Sequence, residues 1–323
     1  MRSSWIFVFG ALLATPAAAT DLNLSVEAGG ANSVVVAPGD SVSWSVVGEL
    51  SDAANEGLAF FVFDMSFNGG ALTQGDAPVG APMTSFDTPN GLTNPAGYGG
   101  TLSGGDLIQV GGAQNTINNA FAAVPIGSVT TGVAQPGFPE VLVSGTLTAP
   151  IAPGTYTLKT LNVMVNTIKS GEIGVPFWAV EEAGVGSCDN LTIEVVAMTA
   201  NVGNVSLGGL GSQILSLDAG DVNAGRGYFI LGSVTGTTPG ITVASGTNIP
   251  LNADDYFFLL VDNPNTFISN QMSTLDGLGQ ATATISVPGS TPPILIGMTF
   301  DHAFVTLGPI DFASNSVSLT LVP

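Results

Sequence analysis

Positively charged residues are nearly missing from this 323-residue chain. It carries four Lys and Arg residues against 24 Asp and Glu residues, for a formal net charge of −20. Binding to nucleic acid requires clustered Lys or Arg that displace counterions from phosphates, and attraction to anionic lipid requires similar clusters. The composition therefore argues against both kinds of partner. No cation cluster is left to support either.

Cysteine and histidine are equally scarce, with one residue of each, Cys188 and His302. A single Cys cannot form an internal disulfide, and we interpret Cys188 as a buried small hydrophobe, with pairing between molecules as the alternative. One Cys and one His are too few for a zinc site. Asp301 precedes His302, but neighbours on an extended strand point to opposite faces, so Asp301 could not orient the imidazole in a catalytic triad. We expect His302 to be structural or at the surface.

A long apolar run is also missing. The first residues, "MRSSWIFVFGALLATPAAAT", combine an early Arg, a short apolar run and an A-x-A pattern, which predicts a signal peptide over residues 1–19. The apolar run is too short to cross a bilayer. We therefore expect no membrane span and an exported protein, secreted or held at the exterior of a bacterial cell envelope.

What the chain does have is glycine and short β-type runs. Its 43 Gly and 20 Pro residues separate segments rich in Val, Ile, Thr and Phe, which is typical of strands and turns. In "SVSWSVV", Val42, Trp44 and Val46 alternate with polar residues and predict one buried face. Strands are predicted at 33–37, 41–47, 58–67, 140–149, 155–165, 191–198, 213–217, 227–233, 256–262, 281–287, 294–307 and 316–322. The prediction is an all-β fold of two antiparallel β-sandwiches, jelly-roll or Ig-like, in tandem.

The same pattern predicts the domain organisation. The first sandwich is expected over residues 20–198 and the second over residues 199–323. The first is interrupted at about 68–138 by a segment rich in Gly and Asn, which is unusually long for a connection inside a compact domain. The segment "DLIQVGGAQNTINNAFAAV" (106–124) could hold a short helix after its Gly pair.

The segment "LDAGDVNAGRG" (217–227), called here the Asp/Asn/Gly loop, is the one place where the residue types suggest a metal site. Its oxygen-bearing candidates are Asp218, Asp221 and Asn223. The spacing of an EF-hand-like calcium loop fails at several positions, and Arg226 falls where the ion would sit. The same residue types are those required by a tight turn. We predict a turn between strands, no cofactor, and calcium as the weaker alternative.

Two further features bear on carbohydrate chemistry. Adjacent acids occur at Glu181–Glu182 and Asp254–Asp255, but each pair would diverge on a strand or be solvated in a loop, and distant acids cannot be paired from sequence alone. Trp44 is predicted to be core. Trp178, in "GVPFWAVEEAG", is the candidate ligand-binding residue, with packing as its alternative.

Two resemblances add to this interpretation. The segment "VVVAPGDSVSWSVVGEL…GLAFFVFDMSF" resembles the opening of a cohesin-type domain, through the turn Pro38-Gly39-Asp40 and a later strand ending in Asp64. The resemblance implies a nine-stranded jelly-roll sandwich. The long Gly- and Asn-rich segment departs from that pattern.

The second half is similar to an uncharacterised C-terminal β-domain of exported proteins from environmental bacteria. The matching phrases are "LDAGDVNAGRGYFILGSVTGTTPG", "IPLNADDYF", "LDGLGQATATISVP" and "MTFDHAFVTL…ASNSVSLTLVP". This resemblance supports domain boundaries and export, and it implies no activity.

Three functions follow in order of preference. The first is an exported, non-catalytic binding or surface-structural protein that acts through sheet faces and loops on a protein or polysaccharide outside the cell. The second is a carbohydrate-binding module of an extracellular polysaccharide system. The third is a glycoside hydrolase that uses separated carboxylates. We predict that the protein is not an enzyme, because no catalytic motif is present.

Overall fold

The computed structural model of the chain describes residues 20–73, 99–114, 116, 130–173, 178–207 and 211–323. Ten strands form the first part of the structure. They are β1 (Asp21–Glu27), β2 (Ser33–Val36), β3 (Ser41–Leu50), β4 (Asn55–Phe67), β5 (Thr101–Ser103), β6 (Asp106–Ala113), β7 (Glu140–Thr148), β8 (Gly154–Ile173), β9 (Trp178–Asp189) and β10 (Leu191–Val195).

These ten strands make two layers that are joined where the long strands β8 and β9 pair. One layer has the order β9-β1-β3-β7, and the other runs β5-β6-β4-β8 and continues through β10 to β2. Only the β1–β9 and β2–β10 pairs are parallel among them. Side chains from both layers, including Leu22, Trp44, Phe61 and Ile193, meet in one buried cluster. Alternation along each strand gives this arrangement, since every second side chain faces the other layer.

Twelve further elements follow. They are β11 (Met198–Ala200), β12 (Asn204–Ser206), β13 (Gly211–Asp218), β14 (Gly227–Ser233), β15 (Ile241–Thr242), β16 (Asn248–Ile249), α1 (Asp255–Asp262), β17 (Ile268–Ser269), β18 (Met272–Thr274), β19 (Gln280–Val287), β20 (Thr299–Thr306) and β21 (Val317–Val322). Two short 3-10 turns lie at Asp221–Asn223 and Pro293–Leu295.

The second set of strands also forms a sandwich. Its layers have the orders β11-β13-β19-β17 and β12-β21-β20-β14-β18. Leu217 and Ile285 from the first layer pack with Tyr228 and Phe304 from the second in one buried cluster. The outer face of the five-stranded layer is covered in turn, because the segment carrying the β15–β16 hairpin packs Ile249 on it. The fold is therefore all-β, with two sandwiches in tandem, as the sequence predicted.

The connection between the two sandwiches is short and held by side-chain hydrogen bonds. Two residues separate the end of β10 from the start of β11. The Asn315 side chain accepts hydrogen bonds from the backbone N–H groups of Ala197 and Met198, at 2.8 and 2.9 Å, and donates one to the Met198 carbonyl. The Ala197 backbone is thus bonded to the second sandwich, while the Val196 N–H donates to the Val36 carbonyl of the first sandwich at 2.9 Å.

Most predicted strands are present, and Trp44, 3% exposed, lies in the core as expected. The prediction for 256–262 is wrong, because this segment is the helix α1. The segment 191–198 is two strands separated at 196–197, and 294–307 begins with a 3-10 turn before β20. The sequence missed β1, β5, β6 and β9 in the first sandwich and the short strands β12, β15, β16, β17 and β18 in the second. The proposed helix lies outside the described residues, apart from its Gly pair, which is in β6.

Candidate functional site

The Asp/Asn/Gly loop is a turn whose polar side chains form hydrogen bonds and an ion pair within the protein. Asn223, 3% exposed, donates to the Ala219 carbonyl at 2.7 Å and accepts from the Arg226 guanidinium at 2.6 Å. Arg226 also lies 2.7 Å from the Asp311 carboxylate, which holds the pKa of Asp311 below its usual range. A cation thus already contacts the Asn223 oxygen that calcium would need.

The two aspartates of the Asp/Asn/Gly loop have different surroundings. Asp218 accepts from Gln280 Nε2 at 2.7 Å and from the Gly220 N–H at 3.0 Å. Asp221 opens the 3-10 turn. Among the described residues, no group of three or more His, Cys, Asp or Glu side chains could hold a metal ion. The geometry agrees with the turn interpretation, and binding of calcium stays a matter for experiment.

His302 lies inside the second sandwich and not at its surface. It is fully buried on β20, and its Nε2 atom is 2.9 Å from the Tyr256 hydroxyl on α1. Burial lowers the pKa of His302 to about 4. Asp301 points the other way and accepts from the Ser318 hydroxyl at 2.6 Å. The alternation argument therefore holds, and His302 has a structural environment.

The paired acids have separate roles. Asp254 caps α1, accepting from the Phe257 N–H at 2.9 Å and from groups of Ser233 and Val234. Asp255 is the exposed first residue of the same helix. Burial raises the pKa of Asp254, but these hydrogen bonds outweigh it and bring the pKa down to about 2. This carboxylate is a helix cap, which is a structural use of charge.

Glu181, Glu182 and Cys188 lie along β9. Glu181 is half-buried and Glu182 is exposed, as expected for neighbours that face opposite sides of a strand. Cys188 is a free thiol, only partly buried, at the margin of the first core. The expectation of a buried Cys188 is therefore met only in part. Trp178 begins β9, and its side chain lies outside what the structure describes.

Asp64 is a half-buried acid of the first sandwich that lies between two residues with uncommon backbone conformations. It lies on β4 where the register shifts against both neighbouring strands, β6 and β8. On each side a residue other than Gly takes a left-handed backbone conformation, Gln109 at φ 57° and Asn162 at φ 50°. Both donate to the Asp64 carboxylate, from the Gln109 N–H at 2.9 Å and from Asn162 Nδ2 at 2.6 Å.

This arrangement leaves a shallow cavity of about 260 Å³ beside the carboxylate. Its apolar wall is formed by Val62, Ile108 and Met164, and Met164 is 57% exposed. A carboxylate oxygen has lone pairs beyond the one hydrogen bond that each oxygen accepts here. The site can therefore accept a donor from a ligand while burying apolar atoms of that ligand.

The cost of the backbone supports a functional interpretation of this place. Left-handed conformations of non-glycine residues carry roughly 1 kcal/mol or more of strain and cluster at binding sites. β-bulges are likewise enriched where a side chain must be re-aimed. The sequence already singles out Asp64 as an acid within the aromatic segment "FVFDMSF". Gln109 and Asn162 were not, because their partner is 45 and 98 residues away.

Comparisons with known proteins add little beyond the class of fold. No protein-family model matches the chain, and no curated protein matches its sequence. Among solved structures, similarity is found to a type II cohesin dyad from the adaptor ScaA scaffoldin of Acetivibrio cellulolyticus, with 10% identity, a TM-score of 0.29 and 88% of each chain covered. The D0-D1 domain of intimin matches with 11% identity and a TM-score of 0.23 over 92% of this chain and 97% of that one.

Escherichia coli alpha-2-macroglobulin activated by porcine elastase matches with 12% identity and a TM-score of 0.26. The match covers 94% of this chain, which spans 22% of that protein. Scores this low carry no argument about function, and the sandwich architecture rests on the strand pairing itself. The similarity of the second half to a C-terminal domain of exported proteins stays a prediction. Within the described ranges, no helix has the length and apolar character needed to cross a membrane.

Proposed function

We propose that the protein is an exported, non-catalytic binding protein that recognises a partner through the outer face of its first sandwich, around Asp64. The observation that carries this proposal is the pair of left-handed residues, one on each neighbouring strand, that hold the Asp64 carboxylate beside an apolar wall. Export is supported by the signal-peptide pattern of residues 1–19.

The chemistry of the site favours a partner that presents a cation or another hydrogen-bond donor next to an apolar group. The formal charge of −20 attracts a basic surface over a distance set by ionic strength. A Lys or Arg side chain of a partner protein supplies the donor and, through its methylene stem, the apolar contact. We therefore infer that the partner is a protein with an exposed basic residue.

The decisive experiment compares Asp64→Ala with a matched control, Glu194→Gln. Glu194 is exposed on the same layer, in β10, and its partner on β8 is Thr155, whereas the partner of Asp64 is Leu161. Six residues along a strand separate the two positions by roughly 20 Å. Partners are captured from culture supernatant with each variant, and affinity is then measured for the purified partner at low and high salt.

We expect Asp64→Ala to weaken binding about tenfold or more, because a charge-assisted hydrogen bond is worth about 1.5–3 kcal/mol. Glu194→Gln should bind within about twofold of the wild type. Equal affinity of all three proteins would exclude the Asp64 face as the binding surface.

Carbohydrate binding is the second candidate, favoured by the same carboxylate and amide groups, which also suit sugar hydroxyls. A glycan array separates the two. Retention of a defined glycan, lost in both Asp64→Ala and Trp178→Ala, would favour the carbohydrate. Silence on every glycan together with capture of a protein favours the first proposal.

A further inference from the structure

The interior of the second sandwich is open at one end. A crevice of about 430 Å³ reaches between its two layers. Ile285 and Val287 of β19 line one side, and Leu319 and Leu321 of β21 line the other. All four belong to the buried cluster of this sandwich. Protein interiors are normally filled to the density of an organic crystal, so an accessible space between core side chains is unusual.

The outer walls of the crevice are apolar as well. Leu259 of α1 and Phe267 just after it are 42% and 45% exposed and line the opening. Pro288, Pro292 and Leu295 close another side. Pockets of 300–1,000 Å³ with apolar walls and few polar groups are typical sites for small molecules. The crevice falls within this range.

Helix α1 gives an independent indication that something covers this region. Its sequence, "DYFFLLVD", is apolar on every side, yet Leu260 is its sole fully buried residue. Phe258 and Val261 are 54% and 39% exposed. A helix that is apolar all round is normally buried, so the exposed apolar surface next to the crevice is typical of a binding site.

The charges around the crevice select among apolar ligands. No charged side chain lines it, and the Tyr256 hydroxyl in its wall is already bonded to His302. Asp254, Asp255 and Asp262 lie at the two ends of α1. An anionic head group would be repelled by these acids, while the exposed Ser286 and Ser290 offer hydroxyls to a neutral one.

We propose that this crevice binds the apolar chain of an uncharged amphiphile, with the polar head of the ligand at the serines of its opening. This site is on the second sandwich and is independent of the Asp64 face. The binding energy would come from removal of the chain and of Leu259 and Phe267 from water.

The test uses the full chain and Nile red, a neutral apolar dye, as the reporter. Decyl maltoside and decanoate, both below their micellar concentrations, compete for the dye. We expect one saturable Nile red site per chain, displaced by decyl maltoside at a concentration about tenfold lower than by decanoate, a factor that corresponds to a single modest charge repulsion. Absence of a saturable site overturns the proposal, and stronger displacement by decanoate overturns its charge selectivity.

Two neighbouring variants on α1 supply the matched control. Leu259→Asn places a polar group in the wall of the crevice, whereas Phe258→Asn makes the same kind of change on the same helix outside it. Leu259→Asn should weaken dye binding about tenfold and Phe258→Asn less than about twofold. Equal loss in both variants means adsorption to the helix surface and overturns the proposal. If Leu259→Asn lowers the melting temperature, Phe267→Asn, which is in a loop, provides the same comparison.

Discussion

Replacement of Asp254 by alanine should destabilise the second sandwich far more than any other change to a single exposed acid. The carboxylate caps α1 through the Phe257 N–H. Its second oxygen accepts from the Ser233 hydroxyl at 2.8 Å, from the Val234 N–H at 2.7 Å and from two groups of Thr235 at 3.0 Å. Asp254 therefore joins the start of the helix to the end of β14.

The size of the destabilisation depends on which of these donors could bond to water once the carboxylate is removed. Loss of the cap costs about 1 kcal/mol. Thr235 is exposed and would be hydrated, but Ser233 is fully buried and Val234 is half-buried. Leaving these two donors without an acceptor adds roughly 1–2 kcal/mol in total. The expected loss in the free energy of unfolding is about 2–3 kcal/mol, which lowers the melting temperature of a sandwich of this size by about 10 °C.

The assay must distinguish the two sandwiches, and the aromatic residues make this possible. Of the three Trp residues, Trp5 is in the predicted signal peptide and is absent from the processed protein, Trp44 and Trp178 are in the first sandwich, and the second contains none. Trp fluorescence thus follows the first sandwich, while calorimetry follows both. Asp255→Ala is the control, since it removes the neighbouring acid and only a helix-dipole interaction of about 0.3–1 kcal/mol. Equal shifts for the two variants, or a shift seen first in Trp fluorescence, would refute the reasoning.

Three further predictions follow from the structure. Burial lowers the pKa of His302 from 6.5 to about 4, so its contribution to stability is complete above about pH 6.5 and is lost as the pH falls through 4. Urea titrations should show a loss of roughly 3 kcal/mol in the free energy of unfolding over that interval. His302→Gln should flatten the dependence of this free energy on pH. Gly220→Ala should destabilise more than Gly225→Ala in thermal melts. Both positions have a positive φ, but only at Gly220 would a Cβ atom clash with the Pro38 carbonyl oxygen. Equal costs would mean that the two sandwiches are not in contact there. Millimolar calcium should leave the melting temperature unchanged, because we expect no bound ion and only a bound ion would stabilise the folded state. A rise of several degrees would support a calcium site in the Asp/Asn/Gly loop.

The strands that the sequence predicted well are those whose alternation reports on a single buried face. In β3, the burial of Val42, Trp44 and Val46 follows directly from the period of two. Strand β1 shows the same alternation in its burial, with Leu22, Leu24 and Val26 inside. The period of two in "DLNLSVE" is as clear as that of β3, so the same rule applies to this strand.

The sequence predicts a strand where α1 lies because the aromatic and aliphatic run of six residues, 256–261, shows neither a helical nor a strand periodicity. Such runs fit either element, and only the flanking residues can decide between them. Asp254 held that information, since Asp directly before an apolar run is a helix-capping signal.

The Asp64 site could be predicted only through its central residue. Asp64 is conspicuous as the one acid in the aromatic segment of β4, but its partners come from β6 and β8. Their left-handed conformations depend on bulges, which arise from the register of three strands and not from any local signal. Asn tolerates this conformation and Gln adopts it less readily, so even a reading by residue type would have found Asn162 alone.

Close packing of backbone against backbone explains the glycines of the Asp/Asn/Gly loop. Gly220 has φ 74°, and its Cα lies so near the Pro38 carbonyl that a Cβ atom could not fit. Gly279, at φ 77°, approaches the Gly220 backbone in the same way. Asn223 turns the chain between these contacts, and Arg226 neutralises Asp311 beside it. The Pro38 turn of the first sandwich therefore packs against the Asp/Asn/Gly loop of the second. The glycines are needed because the two backbones approach closely, and the polar side chains form hydrogen bonds with backbone groups of the turn.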